Sequence, residues 1–509
     1  MLDPGGTKQP WPATITLILW LVPCLYYGII LTDGSFNFFR HAEHGLIFNS
    51  VLSHLLHGQF DVDPDAVQHE AFIRDGRTYT YFGIFCALLR LPLLATSSLN
   101  TTDVSTLSVL IAACTGWLFR LLCLRTVLLG ASSTAVPTRI VAVIYLGFAL
   151  GGENIQYLRP SVYQEVIIWS DALASAFVFV AVNIVVARRV GLADALRLSV
   201  ISGLVLLTRF STAMGLYFAT ALILLVQFWR DVQPPKYDRA NGRRRLGSFV
   251  HRAALRALSP PYVVAAAVLL LFAGITGIVN YERWGDPFTF ADLHIYEVWA
   301  NDFVKVVDEY GAFNLVRIPF GIVYYFVPIW AILRDDGGFV LSGNPPGVVP
   351  NMELPPSSFF LTDPLVLGLA VTFFFVAARR GSRTVLDVPV SYALLSGLAV
   401  PVLLMLTAIA MAFRYRMEFY PFFDAAAFLC LLALARSGAF ARGRCWQVAM
   451  AGAALCGMIS SHLMLLFYKI ASGGWAGAVV MPDGWGAFLR RLMEQHYPSI
   501  QHVLDRLLS

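Results

Sequence analysis

Runs of about twenty apolar residues recur along most of this chain, and no other feature restricts its fold so strongly. The first, Ala13 to Thr32 (ATITLILWLVPCLYYGIILT), has the length a helix needs to cross a hydrocarbon layer about 30 Å thick. It exceeds a signal-peptide core and shows no small-residue cleavage site, so it is expected to be a retained helix. Further spans are predicted over Val104–Cys123, Ile140–Gly152, Gln164–Ala187, Leu198–Thr208, Thr212–Trp229, Tyr262–Tyr281, Thr362–Ala378, Val390–Phe413, Phe419–Ala435 and Trp446–Tyr468. The expected fold class is therefore an all-α polytopic membrane bundle of about eleven transmembrane helices.

Composition excludes the soluble alternative. Hydrophobic residues make up 57% and charged residues 14% of the 509, and the mean hydropathy is +0.66, whereas a soluble domain is about a quarter charged. Length alone would suggest about three soluble domains, but too little polar surface remains to face water. The predicted organisation is one transmembrane domain, residues 1–468, followed by a C-terminal segment, residues 469–509. Most of the seven cysteines (Cys24, Cys114, Cys123, Cys430 and Cys456 among them) sit inside apolar runs without metal-ligand spacing, as small core residues do.

Charge placement orients the bundle. Arg120 and Arg125, Arg188 and Arg189, Arg379, Arg380 and Arg383, and Arg436, Arg442 and Arg444 fall in alternate connections. The segment 230–261 is denser still, with Lys236, Arg239, Arg243, Arg244, Arg245 and Arg252. The positive-inside rule makes all of these cytoplasmic. A basic run such as RRRL suits a solvated loop near anionic lipid better than a nucleic-acid patch, so no nucleic-acid partner is expected. The N-terminus is then cytoplasmic and the C-terminus outside, where Trp485 to Leu508 reads as an amphipathic interfacial segment.

The opposite face receives two long insertions, 33–103 and 282–361, both too long to be plain connectors. In the first, Phe36 to Leu56 has apolar residues at helical spacing and predicts a helix along the membrane surface. Tyr81 to Leu94 is apolar but short and holds Arg90, so it is expected to be a surface or re-entrant helix. Asn314 to Leu333 is treated as non-crossing, because that keeps Arg379 to Arg383 cytoplasmic. No internal repeat is visible.

Charged side chains at membrane depth cost about 2.5 to 3.5 kcal/mol each, so those near span ends are candidate functional groups. Asp33 closes the first span, and a carboxylate there can act as general base at a cavity mouth or simply stop the helix in water. Asp61, Asp63 and Asp65 (FDVDPDAV) have alternate spacing suited to an acceptor or cation site, without the glycine and distal glutamate of a calcium loop. Glu165, in RPSVYQEVIIWSDAL, lies inside a span between Tyr163 and Trp169, with Asp171 deeper as partner or structural group. Arg209 interrupts Leu198 to Trp229, and Arg414 and Arg416 follow a span that ends outside. Guanidinium groups in a protected cavity grip phosphate through paired hydrogen bonds; the alternative is that they snorkel to the interface. Acids near outer-face arginines suit sugar transfer from a lipid phosphate to a hydroxyl, with arginines stabilising the departing phosphate.

Five segments carry a resemblance. LLHGQFDVDPDAV and DGRTYTYFGIFCALLRLPLL (Leu55 to Leu94), RPSVYQEVIIW (Arg159 to Trp169), GLVLLTRFS (Gly203 to Ser211), NYERWGDPFTF (Asn280 to Phe290) and RYRMEFYPF (Arg414 to Phe422) run in order across most of the chain. Together they resemble the GT-C superfamily of membrane glycosyltransferases, in particular its bacterial members. The resemblance implies a GT-C-like bundle with outer-face surface helices, a polyprenyl-phosphate sugar donor and an acid at the end of the first helix as base. On this chain those roles fall to Asp33, with Glu165 as a second acid, and to Arg209, Arg414 and Arg416 as donor-phosphate contacts. Many GT-C enzymes place two acids together in the first loop, whereas Gly34 follows Asp33 here. Glu165 or one of Asp61, Asp63 and Asp65 therefore stays open as the base.

The expected activity is hexosyl or pentosyl transfer from a polyprenyl-phosphate donor to a lipid or glycan hydroxyl, on the outer face of the cytoplasmic membrane. The sequence assigns no cofactor, and a divalent cation is compatible with this reading. The rival is a transporter or flippase of a lipid-linked or anionic substrate, which predicts charges through the bilayer midplane and interrupted helices in matching halves.

Overall fold

The computed structural model describes residues 13–96, 98–129, 138–233, 253–297, 301–327, 348–352, 357–379, 385–438 and 444–470. Its main helices are α1 (Ala13–Thr32), α2 (Ile47–Leu56), α3 (Ser105–Leu129), α4 (Thr138–Leu150), α5 (Val162–Ala187), α6 (Leu192–Leu206), α7 (Phe210–Val232), α8 (Pro260–Trp284), α9 (Asn301–Tyr310), α10 (Ile318–Phe326), α11 (Pro364–Ala378), α12 (Val388–Thr407), α13 (Tyr420–Arg436) and α14 (Arg444–Ile470). The protein is an all-α multi-pass membrane protein. Among the described residues strand is confined to a hairpin, β1 (Phe72–Arg74) with β2 (Arg77–Tyr79), and a short parallel pair, β3 (Asn351–Met352) with β4 (Ala410–Met411).

Each of the eleven predicted spans is helical, but they differ in reach. Among the described residues, eight helices are long and apolar enough to cross a bilayer: α1, α3, α5, α7, α8, α12, α13 with the turn before it, and α14. The other three, α4, α6 and α11, have 13, 15 and 15 residues. At 1.5 Å per residue they reach roughly 20 Å, short of the apolar layer. Their local signals are clear. Pro260 opens α8 behind Ser259, and Gly285 closes it at φ +78°. The Ser161 hydroxyl accepts from Tyr163 N–H at the start of α5.

Successive spans run in opposite directions, and polar ties fix both ends. At one end Arg230 grips Asp387 in a bidentate pair of 2.8 and 2.5 Å, and Arg436 donates to Val385 O at 2.8 Å. Arg188, Arg189 and Arg379 lie at this same end. The other end gathers the two long insertions. Phe85 N–H donates to Leu207 O at 2.9 Å, Arg283 Nη1 to Phe82 O at 2.8 Å, and Ile409 N–H to Ala312 O at 2.9 Å.

α13 sits at the centre, its span 94% buried, whereas α8 is peripheral at 17%. The small side chains of α13 (Ala425, Ala426, Ala427, Ala433) let α3, α5 and α11 approach it. Arg120, expected in a cytoplasmic connection, instead lies inside this core at 6% exposure. It takes Asp171 bidentately at 2.8 and 2.7 Å and Asp424 at 2.7 Å. Arg120 lies about two and a half turns before the end of α3 at Leu129, because the helix runs past Cys123, where the predicted span stopped.

The first insertion has its own core, with Ile47, Phe48, Val51 and Leu52 of α2 packed against Val67, Phe82 and Ile84. The helix predicted from Phe36 is shorter than expected and starts at Ile47, because Phe36 and His44 adopt left-handed backbone. The Tyr81–Leu94 segment holds only helical turns, Phe85–Leu88 and the start of Leu91–Thr96. α10 has nine residues, too few to cross, while the remainder of that expected segment, 328–333, lies outside the described residues. So do the basic run Arg239 to Arg252 and the amphipathic stretch Trp485 to Leu508.

Candidate active site

A cavity of about 350 Å³ opens at the end where the insertions gather. Early termination of α6 makes it. The chain leaves helical geometry at Leu207, restarts at Phe210, and the interval Leu206 to Ser211 forms one wall. Irregular backbone in a membrane protein is tolerated where it lines such a space. Gly83 allows the first insertion to close against that interval: a Cβ there would lie 2.1 Å from Leu207 O. The remaining walls come from α5 (Tyr163), α8 (Thr276, Asn280, Arg283), Phe290 to Tyr296, and residues Ala408 to Tyr415.

Aromatic rings dominate the surface. Phe72 stacks on Tyr296 with centroids 4.5 Å apart, Tyr81 lies 4.4 Å from Phe82, and Phe82 meets Tyr163 edge-on at 5.5 Å. Burial raises the Tyr81 hydroxyl well above its usual pKa, Tyr415 adding to this and Arg414 opposing it, so Tyr81 stays protonated and can donate. Rings that present a face and a hydroxyl suit a ligand with both apolar and polar edges.

Three guanidiniums reach the cavity, each held differently. Arg209, at the start of α7, is bonded through Nε to Glu418, which also accepts from Ser211 at 2.6 Å and Thr212 at 3.2 Å. Arg414 stands over Tyr163 at 4.7 Å and Tyr415 at 5.3 Å. Arg283 is the outstanding one. It is 3% exposed, spends Nη1 on the Phe82 carbonyl, and leaves Nε without a hydrogen-bond partner. Among the described residues no carboxylate lies in salt-bridge range of it, and none lines the cavity. A buried guanidinium without a counter-charge is costly, and an anionic ligand relieves it.

The expected site residues scatter. Arg209 and Arg414 line the cavity together. Arg416 does not: it turns to the other side of the same short 3₁₀ helix, Phe413 to Glu418, and bonds Glu153 and, at 2.9 Å, Asp363. Glu165 is fully buried with both oxygens on Arg90, one of these bonds measuring 2.7 Å, so its carboxylate is held away from the cavity. Asp33 follows α1 in left-handed backbone, 48% exposed, with Arg40 at 3.1 Å, and is not part of the cavity wall. Asp61 and Asp63 clasp His54 at 2.9 and 3.3 Å, and Asp65 is exposed. Burial works against a charged His54, but the two carboxylates outweigh it and raise its pKa. Among the described residues no three acidic, histidine or cysteine side chains converge to hold a metal ion.

Sequence reasoning passed over Arg283 and Glu70. Arg283 sits in the quoted NYERWGDPFTF segment, where an arginine before Trp-Gly reads as a helix-end residue complementing the helix dipole. Glu70 is buried behind the cavity wall and accepts a hydrogen bond from Tyr296 OH through Oε2. Its neighbour His69 gives QHEAF the look of an ordinary solvated turn.

No protein-family profile and no curated protein matches the chain. In structure it is similar to the oligosaccharyltransferase of Archaeoglobus fulgidus in the apo form, at 15% identity and a TM-score of 0.46 over 90% of this chain and 56% of that one. It is similar also to the archaeal oligosaccharyltransferase AglB from Archaeoglobus fulgidus in complex with an inhibitory peptide and a dolichol-phosphate, at 14% identity and a TM-score of 0.43, covering 97% and 59%. The complex of the Archaeoglobus fulgidus enzyme with Zn and sulfate gives 16% identity and a TM-score of 0.41, covering 96% and 56%. The chain spans less than three fifths of the length of these proteins.

Proposed function

We propose that the chain is a membrane glycosyltransferase of GT-C type that moves a sugar from a polyprenyl-phosphate donor to a lipid or glycan hydroxyl on the outer face of the cytoplasmic membrane. The observation that carries this reading is the uncompensated Arg283 guanidinium in a chamber walled by aromatic rings. Such a chamber favours a ligand with an anionic centre and an apolar body. In a membrane protein a phosphate on a long isoprenoid, entering from the bilayer with its sugar against the rings, has that form. The outer face follows from the arginines at the opposite end of the bundle.

In this reading the bond between the sugar's anomeric carbon and the phosphate oxygen breaks, and the phosphate leaves with the electron pair. Arg283, Arg209 and Arg414 stabilise the charge that builds on it. The acceptor oxygen bonds to the anomeric carbon and releases its proton. Tyr296, hydrogen-bonded to Glu70, offers the path: its oxygen takes the acceptor proton as its own passes to Glu70. Neither Asp33, paired with Arg40, nor Glu165, paired with Arg90, belongs to the wall of this chamber, so neither is given the base role here. A transporter would need a route through the bundle, which the buried α13 and the Arg120 ion pairs obstruct.

The test is transfer by full-length protein reconstituted in liposomes with a polyprenyl-phosphate sugar. Arg283→Gln keeps a donor for the Phe82 carbonyl and is expected to lower the rate at least ~100-fold, the loss of one preorganised charge contact. Glu70→Gln is expected to lower turnover while leaving donor binding intact. Full rates in Arg283→Gln, Arg209→Gln and Arg414→Gln together, or substrate counterflow without transfer, would defeat the proposal.

A further inference from the structure

A second, smaller hollow of about 30 Å³ lies inside the bundle, away from the arginine-lined cavity. Like the first, it exists because helices stop early. α4 ends at Leu150 and the chain turns through Gly151 and Gly152, while α11 begins only at Pro364 after Asp363. Gly152 has φ +81°, and a Cβ there would lie 3.0 Å from Tyr420 OH and 3.2 Å from Asp363 Oδ1, so the turn needs glycine.

Four carboxylates face this hollow: Glu153, Asp171, Asp363 and Asp424. Two guanidiniums answer them. Arg120 takes Asp171 and Asp424, and Arg416 takes Glu153 and Asp363. With all four acids ionised, two negative charges stay uncompensated in the interior of a membrane protein. Each such buried charge costs several kcal/mol, so the hollow must take up positive charge.

The geometry says in which form. Glu153 is 4% exposed, lines the hollow, and has Oε1 without a partner while Oε2 is bonded to Arg416. The volume exceeds the roughly 10–15 Å³ a cavity needs to admit a water molecule. No three acidic, histidine or cysteine side chains among the described residues are arranged for a metal ion. The other polar groups turned to Glu153 and its hollow are Tyr27 from α1, Asn154 and Tyr157 from the turn, and Tyr420 from α13. Ser461 of α14 is engaged on the Gly152 carbonyl at 2.9 Å.

We propose that this hollow is a proton-binding site, independent of the transferase cavity, in which Glu153 Oε1 carries a proton donated to a single enclosed water. Protonation forms one O–H bond with a proton from solvent, leaves Arg416 paired with Asp363, and lowers the excess negative charge of the cluster from two to one. Burial, opposed by Arg416 and reinforced by Asp363, raises the Glu153 carboxyl to about 7, in keeping with this assignment.

Infrared difference spectroscopy on full-length protein in lipid nanodiscs tests this. The carbonyl stretch of a protonated carboxyl is expected at neutral pH, with a component that fades as pH rises through about 7, and that component, the band followed here, is missing in Glu153→Gln. Replacing potassium by sodium at constant ionic strength is expected to leave the band unchanged. The idea fails if the wild-type band is absent, a result that needs no variant to fold, if the band persists in Glu153→Gln, or if sodium displaces it. In a second measurement, thermal stability is expected to fall as pH rises between the ordinary carboxyl value of 4.5 and about 7. In that window the folded state holds a proton that the unfolded state has lost, so folding binds protons and alkali opposes it. Glu153→Gln is expected to flatten that slope by the contribution of this one carboxyl.

Discussion

Among the described residues the buried guanidiniums divide into those paired with a carboxylate and those that are not: Arg283, and Arg317, whose donors go to the backbone carbonyls of Gly311, Ala312, Val348 and Thr407. Arg90, Arg120, Arg209 and Arg416 each meet a carboxylate directly, whereas Arg283 meets a backbone carbonyl and open space. At this scale a second test concerns Gly83. Substitution by alanine sets a methyl 2.1 Å from Leu207 O, which backbone displacement alone can relieve. Gly83→Ala is expected to cost about 1–3 kcal/mol, as overpacking does, and to lower transfer, because the Leu207 wall moves with it. Thermal unfolding and donor binding measured on the same preparation check both parts. Unchanged donor affinity in a destabilised variant would show that the contact supports the fold without shaping the cavity.

Among the elements, α13 decides most. Its neighbours α3 and α5 contribute Arg120 and Asp171 to a triad closed by Asp424. Removing the cation alone strands two carboxylates, so Arg120→Ala is expected to cost about 3–5 kcal/mol. Replacing all three partners by apolar residues of similar size, as in Arg120→Met with Asp171→Leu and Asp424→Leu, is expected to restore most of that loss. Denaturation midpoints in detergent discriminate: a triple variant no more stable than Arg120→Ala would mean that the triad specifies the packing of α3, α5 and α13 and does more than neutralise itself. The short helices α4, α6 and α11 matter for a complementary reason. Where each stops, polar backbone and side chains line a hollow, so helix length here sets cavity position.

For the whole molecule, alternation of helix direction separates two ends of opposite character. One carries Arg188, Arg189, Arg230 and Arg379, and the other carries both insertions and the aromatic cavity. In a cysteine-free background, His57→Cys and Arg189→Cys are expected to react with a membrane-impermeant thiol reagent from opposite sides of sealed vesicles. Labelling of both from one side would overturn the drawn topology, and with it the outer-face placement of the cavity.

How much of this was legible in advance differs by kind of information. All eleven helical segments could be read from the sequence, because hydropathy over about twenty residues is a local quantity and the bilayer imposes its length. Arg209 and Arg414 were equally visible, since each interrupts or ends an apolar run. The partners were not. Arg90 with Glu165, Arg416 with Glu153, and Arg120 with Asp424 are 75, 263 and 304 residues apart, and nothing local marks two charges as mates. The sequence by itself determined that the chain must be a helical membrane bundle, and that most of its arginines gather in the connections between spans. Only the tertiary structure decided which charges cancel, which guanidinium at the cavity lacks a carboxylate, and where the hollows lie, because packing sums contributions from helices that are remote along the chain.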